Sequence, residues 1–436
     1  MNDMDHVTPE TRTDALESEN LERRNRNMVG RILRVFFLCA ALYVSYRFGI
    51  AAGRMPDDSA APLPIDLAIP ANIDAGNRGV DFALFWKVWD ILCDKYVDRG
   101  SLDARVLLYG AIDGMLAASG DPYTTFFDPE EQKSFDEDIS GKFEGIGAEM
   151  GMRDGVLTVI APLEDSPAER SGLRPNDKVL EIDGESAASL SLDEAVDRIR
   201  GPKDTTVTLT VYRAGEDDSR EVVVTRGLIM VESVKLSFDD DDTIGILRIS
   251  RFGEDTEREY REATTEMIGK GIRGMIIDLR SNPGGLLESA VSIGSTMLPK
   301  GDVVVIEEDA SGSRREERSS GGDRFSDVPT VVLIDEGSAS ASEILAGALR
   351  ENRDNVTLVG RKSYGKGSVQ ELIPTSADTS VKVTVARWLT PEGHQINDAG
   401  IEPDEDVELT IDDLKNDRDP QMDRALEILR EKVGER

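Results

Sequence analysis

Four apolar residues, Val331-Val332-Leu333-Ile334, run into Asp335-Glu336-Gly337-Ser338-Ala339-Ser340-Ala341-Ser342-Glu343. The first four read as a strand. Ser340 with Glu343 three residues on is a capping box, which starts a helix. A chain that passes from strand to helix in so few residues belongs to an α/β arrangement. The same pattern recurs from about residue 228 onward. Strands fit residues 244–249, 275–279, 303–307, 331–334 and 381–389, and helices fit 256–268, 286–297 and 340–352. Asp419-Pro420 opens a last amphipathic helix that runs to about residue 433.

Chemistry concentrates in this region. A serine where a strand turns into a helix is exposed at the end of a sheet. The amides of the helix start can stabilise a developing oxyanion there. The plain alternative is that Ser340 only caps the helix. Asp278-Leu279-Arg280-Ser281-Asn282-Pro283-Gly284-Gly285-Leu286 repeats the architecture, and its glycines let backbone amides approach a ligand. The chain has only two histidines, His6 and His394, so a nucleophilic serine here needs another base. Lys366, framed by Gly365 and Gly367, is the leading candidate. A desolvated lysine is neutral more readily and can accept the serine proton. Gln370 could orient its amine. Otherwise Lys366 is an exposed turn lysine.

Two competing patterns are weaker. Residues 360–366 match most of a Walker A loop, but Gly367 stands where magnesium needs Ser or Thr. The strand ending in Asp335-Glu336 also precedes the loop instead of following it. His394 lies in a turn, where it reads as a surface histidine before it reads as a base.

A length of 436 residues with 39% apolar content gives two or three folded units. The net charge of -34 disfavours nucleic acid and anionic membrane as partners of the bulk surface. Cys39 and Cys93 suggest neither a disulfide framework nor a zinc site. Near the N-terminus, Arg23, Arg24, Arg26, Arg31 and Arg34 precede an apolar stretch that Arg47 interrupts. The uninterrupted run is shorter than the ~20 residues of an ordinary span, but flanking arginines can snorkel. A signal anchor over residues 30–53 is the first reading, with a cytoplasmic tail at 1–29 and a linker at 54–80. A cleaved signal peptide and a buried helix are the others. Residues 81–142 read as an N-terminal helical region, where helical periodicity over 81–118 groups Phe82, Phe85, Trp86 and Trp89 on one face, read as core packing or a dimer contact.

Residues 143–227 resemble a PDZ domain, through the run Ser166 to Gly184 and through Gly145-Ile146-Gly147 before the first strand. Such domains capture a peptide C-terminus as an added strand and hold its carboxylate on loop amides. Glu144, beside that loop, departs from the pattern, since it would repel a carboxylate if it faced the site. Residues 81–430 resemble the carboxy-terminal processing proteases, also called tail-specific proteases. The likeness runs through Asp121 to Glu130, the PDZ segment, residues 278–287, 337–349 and 364–370, residues 386–391 and 400–404. The resemblance implies an α/β (α+β) multidomain chain, with the PDZ domain before a ClpP/crotonase-like protease core at 228–416 and a C-terminal helix at 417–436. It implies Ser340 as nucleophile, Lys366 as base and Gln370 as its positioning residue. It also implies oxyanion donors at Ala341 and at Gly284 or Gly285, and no metal or cofactor. Protein substrates with exposed C-termini are the expected partners, together with the membrane through the N-terminal helix and a possible second copy. The catalytic part is expected outside the cytoplasm. The alternative is a PDZ scaffold with a silent α/β part.

Overall fold

The computed structural model describes residues 81–434 except 154, 217 and 323. The described residues divide into two units at residue 104. In the first, the described part holds the helix Ala83–Lys95 and a short turn at Arg99–Ser101. The signal anchor expected at 30–53 lies outside the described residues. Among those described, no helix is long and apolar enough to cross a membrane.

Core packing is not what the aromatic face of Ala83–Lys95 does among the described residues. No residue of that helix is buried. Its rings meet one another edge to face instead, Phe85 with Trp86 at 5.0 Å and Trp86 with Trp89 at 6.0 Å between centroids.

In the second unit, residues 148–225 form an antiparallel sheet in the order Ala148–Arg153, Val156–Pro162, Lys178–Ile182, Thr206–Tyr212, Arg220–Thr225. Ser166 caps the short helix Pro167–Arg170, and Ser191 with Glu194 forms a capping box for Leu192–Ile199. Both helices start where the serine pattern predicts. Ala195 and Ile199 of the second helix join Leu157, Val159, Val207 and Leu209 in a separate core.

The remainder is built on a six-stranded sheet in the order Val234–Phe238, Ile244–Ile249, Gly274–Asp278, Thr330–Ile334, Val356–Gly360, Glu405–Asp406. All its pairings are parallel except the first. Side chains alternate faces along a strand. Val332 and Ile334 therefore enter the larger core with the helices Thr256–Lys270, Leu287–Met297 and Ala341–Asn352. Val331 and Leu333 pack on Ala425, Ile428 and Leu429 of the last helix, Pro420–Gly434. That helix covers the sheet, so its apolar side is core. Burial on both faces explains the unbroken apolar run at 331–334.

A second sheet stands beside the first. Ser380–Leu389 pairs with Thr125–Phe127, Val303–Asp309 and Ser368–Pro374, and Val303–Asp309 also pairs with Arg314–Arg318. The hairpin of Ser368–Pro374 with Ser380–Leu389 matters most, because it carries the chain out of the lysine loop.

Candidate active site

Parallel strands place their following loops together at one sheet edge, the usual position of a ligand site in such sheets. Here the loops after the neighbouring strands Gly274–Asp278 and Thr330–Ile334 are bound to each other. Ala339 N–H donates to Asn282 O at 3.0 Å, and Ser281 N–H donates to the Asp335 carboxylate at 2.7 Å. The backbones also touch. A Cβ added to Gly284 (φ 99°) would lie 2.8 Å from Ser340 Cβ.

The three serines of the turn separate cleanly. Ser338 is fully buried, and its hydroxyl donates to Leu279 O at 2.8 Å. Ser342 is equally buried and donates to Asn282 O at 3.0 Å. Both stitch the loops together. Ser340 is half-exposed and lines a cavity of about 650 Å³ with Ala341, Gly285, Lys366 and Gln370. Its backbone has φ 55° and ψ -114°, the strained geometry that lifts a side chain off a strand-to-helix turn.

The backbone distinguishes the two candidate glycines. Gly284 N–H donates to Asn282 Oδ1 at 2.9 Å and is occupied. Gly285 N–H and Ala341 N–H have no acceptor among the described residues. Gly285 holds φ 136°, and a Cβ there would meet Phe252 O at 2.1 Å, so only glycine fits. Asn282 sits at the centre of this arrangement, fully buried, with its Nδ2 donating to Ile249 O at 2.8 Å. Its place in a Pro-Gly-Gly turn gives no sign of that role.

Lys366 follows the next strand, Val356–Gly360, on a loop that enters the hairpin. It is half-buried, with its Nζ 5.1 Å from the centroid of the Tyr123 ring. Asp121 sets that tyrosine by accepting from Tyr123 N–H at 3.1 Å and Thr124 Oγ1 at 2.6 Å. Burial pushes the Lys366 ammonium below the ordinary lysine range. The Lys382 charge pushes the same way, and Glu343 pulls against both. Among the hydrogen bonds of the described residues, none joins Ser340 to Lys366. Gln370 lines the same cavity, but its Nε2 donates to Ser368 Oγ at 2.7 Å rather than reaching the lysine.

Glu343 joins the serine and lysine loops. Its carboxylate is almost fully buried and accepts from Ser340 N–H at 2.8 Å, Ser363 Oγ at 2.5 Å, Gly365 N–H at 2.7 Å and Lys366 N–H at 2.9 Å. The sequence shows only the first of these, as half of a capping box. Burial raises the Glu343 carboxyl above its ordinary value, opposed by the Ser363 hydroxyl and the three amides.

Residues 243–407 match the model of peptidase family S41, and residues 158–213 match a PDZ domain. A carboxyl-terminal-processing protease of Synechocystis is 39% identical over 349 residues, which is 78% of this chain and 81% of that protein. The chain belongs to the carboxyl-terminal-processing proteases of family S41. Another relative, carboxy-terminal processing protease CtpA of Bacillus subtilis, is 41% identical over 307 residues, or 70% of this chain and 65% of its own. A putative S41 protease from Bacteroides fragilis shares the fold at 14% identity, with a TM-score of 0.51 over 78% of this chain and 96% of that one.

Two competing sequence patterns do not survive in this protease. The Walker-like loop leads into the strand Ser368–Pro374, whereas a phosphate-binding loop must open a helix. His394 bonds Glu351 at 3.1 Å, near the far end of the helix that Ser340 begins. A helix of 12 residues separates its two ends by roughly 16 Å, too far for proton transfer.

In the PDZ domain, Ala148–Arg153 is an edge strand, paired on one side only. Leu192–Ile199 packs beside it. In the preceding loop, Ile146 O accepts from Ala168 N–H at 2.8 Å and Gly147 O from Leu163 N–H at 2.9 Å. The amides of Ile146 and Gly147 have no acceptor among the described residues. Gly145 closes the strand Lys142–Gly145 opposite Gly227, and Glu144 pairs with Leu228.

Proposed function

We propose that this protease is an endopeptidase. Its PDZ domain takes the exposed apolar C-terminus of a protein substrate, and Ser340 cuts the tail by acyl transfer with Lys366 as base. The convergence of Ser340, Lys366 and the free amides of Ala341 and Gly285 on one cavity carries this reading. Neutral Lys366 takes the hydroxyl proton as Ser340 Oγ attacks the scissile carbonyl. The two amides hold the oxyanion. Lys366 then returns its proton to the departing amine, leaving an acyl-Ser340. Water, deprotonated by Lys366, attacks the ester, the bond from the acyl carbon to Ser340 Oγ breaks, and Lys366 returns that proton to Oγ as the second product leaves. The open edge of Ala148–Arg153 and the free amides of Ile146 and Gly147 support tail capture by strand addition.

Incubating the purified protein with an unfolded, apolar-tailed substrate should give defined products from wild type and none from Ser340→Ala. Binding without product in both would instead make the chain a PDZ scaffold. We further propose that residues 30–53 anchor the chain and leave the PDZ and catalytic parts outside the cytoplasm, supported by the five arginines preceding the apolar run. External protease should then degrade the PDZ segment on spheroplasts without lysis. Protection until lysis would reverse the orientation.

A further inference from the structure

The catalytic cavity contains a second lysine that the chemistry above leaves unused. Lys382 lines it together with Ser340 and Lys366. The other charged groups lining it are Glu288, Glu307, Glu371 and Arg315. Glu307 is paired with Arg315 at 2.5 Å. Lys382 has no ion pair among the described residues, and its Nζ lies 4.9 Å from the centroid of the Phe127 ring. Its backbone is held on both sides. Lys382 is paired with Thr125 across one edge of its strand and with Leu372 across the other. The side chain therefore starts from a fixed backbone position on the wall of the cavity that Ser340 and Lys366 line.

A half-buried cation without a counter-ion is costly, because it has lost water and gained no anion in exchange. Burial indeed pushes the Lys382 ammonium below its ordinary value. An aromatic face compensates only in part. A carboxylate entering the cavity would meet this cation in a partly desolvated setting, where a charge-assisted hydrogen bond is strongest. The cavity also has apolar walls, including Phe135, Leu286, Ile344 and Trp388, which suit the rest of a non-polar tail.

We propose that Lys382 is a specificity residue that binds a substrate carboxylate inside the catalytic cleft. The inference rests on the reading of that cleft as the Ser340/Lys366 site. Two sources share the chemistry, the free α-carboxylate of the tail and an Asp or Glu side chain near the cut. Carboxylate recognition would thus occur twice, at the PDZ loop and again beside Ser340. Selection of short or acidic tails would be set by the second of these.

The test uses the full-length protein and three matched peptides with one apolar core sequence. One ends in a free acid, one in an amide, and one in an amide with a Glu beside the cut. The readout is the ratio of kcat/KM on each carboxylate peptide to that on the plain amide. Lys382→Met should lower at least one ratio by about 10-fold or more, the loss of one hydrogen bond to a charged group. Lys382→Arg, which keeps the charge, should retain most of it. Loss on the free-acid peptide identifies the α-carboxylate, and loss on the Glu peptide identifies a side chain. Any preference that Lys382→Met retains for the free acid reports the PDZ loop. Ratios unchanged in Lys382→Met, or a Lys382→Arg variant as poor as Lys382→Met, would overturn the proposal alone. Wild-type protein that cleaves none of the peptides would overturn the catalytic reading, and this proposal with it.

Discussion

Lys366→Met should lower kcat/KM at neutral pH by about 10⁴-fold or more, the scale seen when a general base is removed from a serine nucleophile, and the protein should stay folded. The variant deletes the group assigned to take the Ser340 proton and leaves the two oxyanion amides in place. It should also be no less stable than wild type at neutral pH. Burial and the charge of Lys382 depress the Lys366 pKa from its ordinary 10.5, so folding at neutral pH works against a disfavoured ammonium. The sign follows from linkage. Below the folded-state pKa both states are charged, and the wild-type penalty is complete. It shrinks as pH rises through that pKa and is gone above 10.5, where the unfolded chain is neutral too. Thermal unfolding should therefore show the advantage of Lys366→Met at neutral pH fading in alkali. Wild-type kcat/KM should rise with pH through the depressed lysine pKa. Full activity in Lys366→Met would end the assignment, and a flat pH profile would remove the lysine from the rate law.

The elements behind this prediction were legible because their signals are local. The run Val331 to Ile334, the serine turn and the Pro-Gly-Gly turn each state their conformation within a few residues, and the three inner strands read at 244–249, 275–279 and 331–334 fall within a residue or two of the pattern, whereas the edge strands Val234–Phe238 and Glu405–Asp406 gave no such signal. Strand Val356–Gly360 was obscured by its glycine-rich sequel, which resembles a phosphate loop until the following hairpin is seen. The aromatic periodicity of residues 82–89 was equally clear, yet amphipathicity states only that a helix has an apolar side. It does not state what covers that side. Among the site residues, the choice of Gly285 over Gly284 depends on whether Asn282 Oδ1 occupies an amide, which spacing cannot reveal. The same holds for Lys382, whose position in the cavity comes from strand pairing across more than 250 residues of sequence.

Glu343 is the sharpest case of a residue whose local reading is true but incomplete, and Glu343→Gln should separate its two roles. As a helix cap, the glutamine is nearly equivalent, since its carbonyl still accepts from one amide. As the joint between the serine and lysine loops, it fails. Each carboxylate oxygen accepts two donors, Oε2 from Ser340 and Lys366 and Oε1 from Ser363 and Gly365. An amide must turn its NH₂ toward one of those pairs, setting donor against donor in a buried place. Each buried donor left unsatisfied costs about 1–3 kcal/mol. The loops will relieve that cost by moving, and the motion displaces the Ser340 and Lys366 backbones relative to each other. Misplacement of about 1 Å is enough for roughly 100-fold in rate. Glu343→Gln should therefore lower kcat by about 10²-fold or more and change KM little, because Glu343 does not line the cavity. Glu343→Ala should cost more, in stability as well as kcat, since it leaves all four donors without their acceptor. A Glu343→Gln enzyme with unchanged kcat and an unchanged urea midpoint would reduce the residue to a cap. The serine and lysine loops would then have to be held in register by the shared backbone contacts at Ala339, Asn282 and Tyr364 alone.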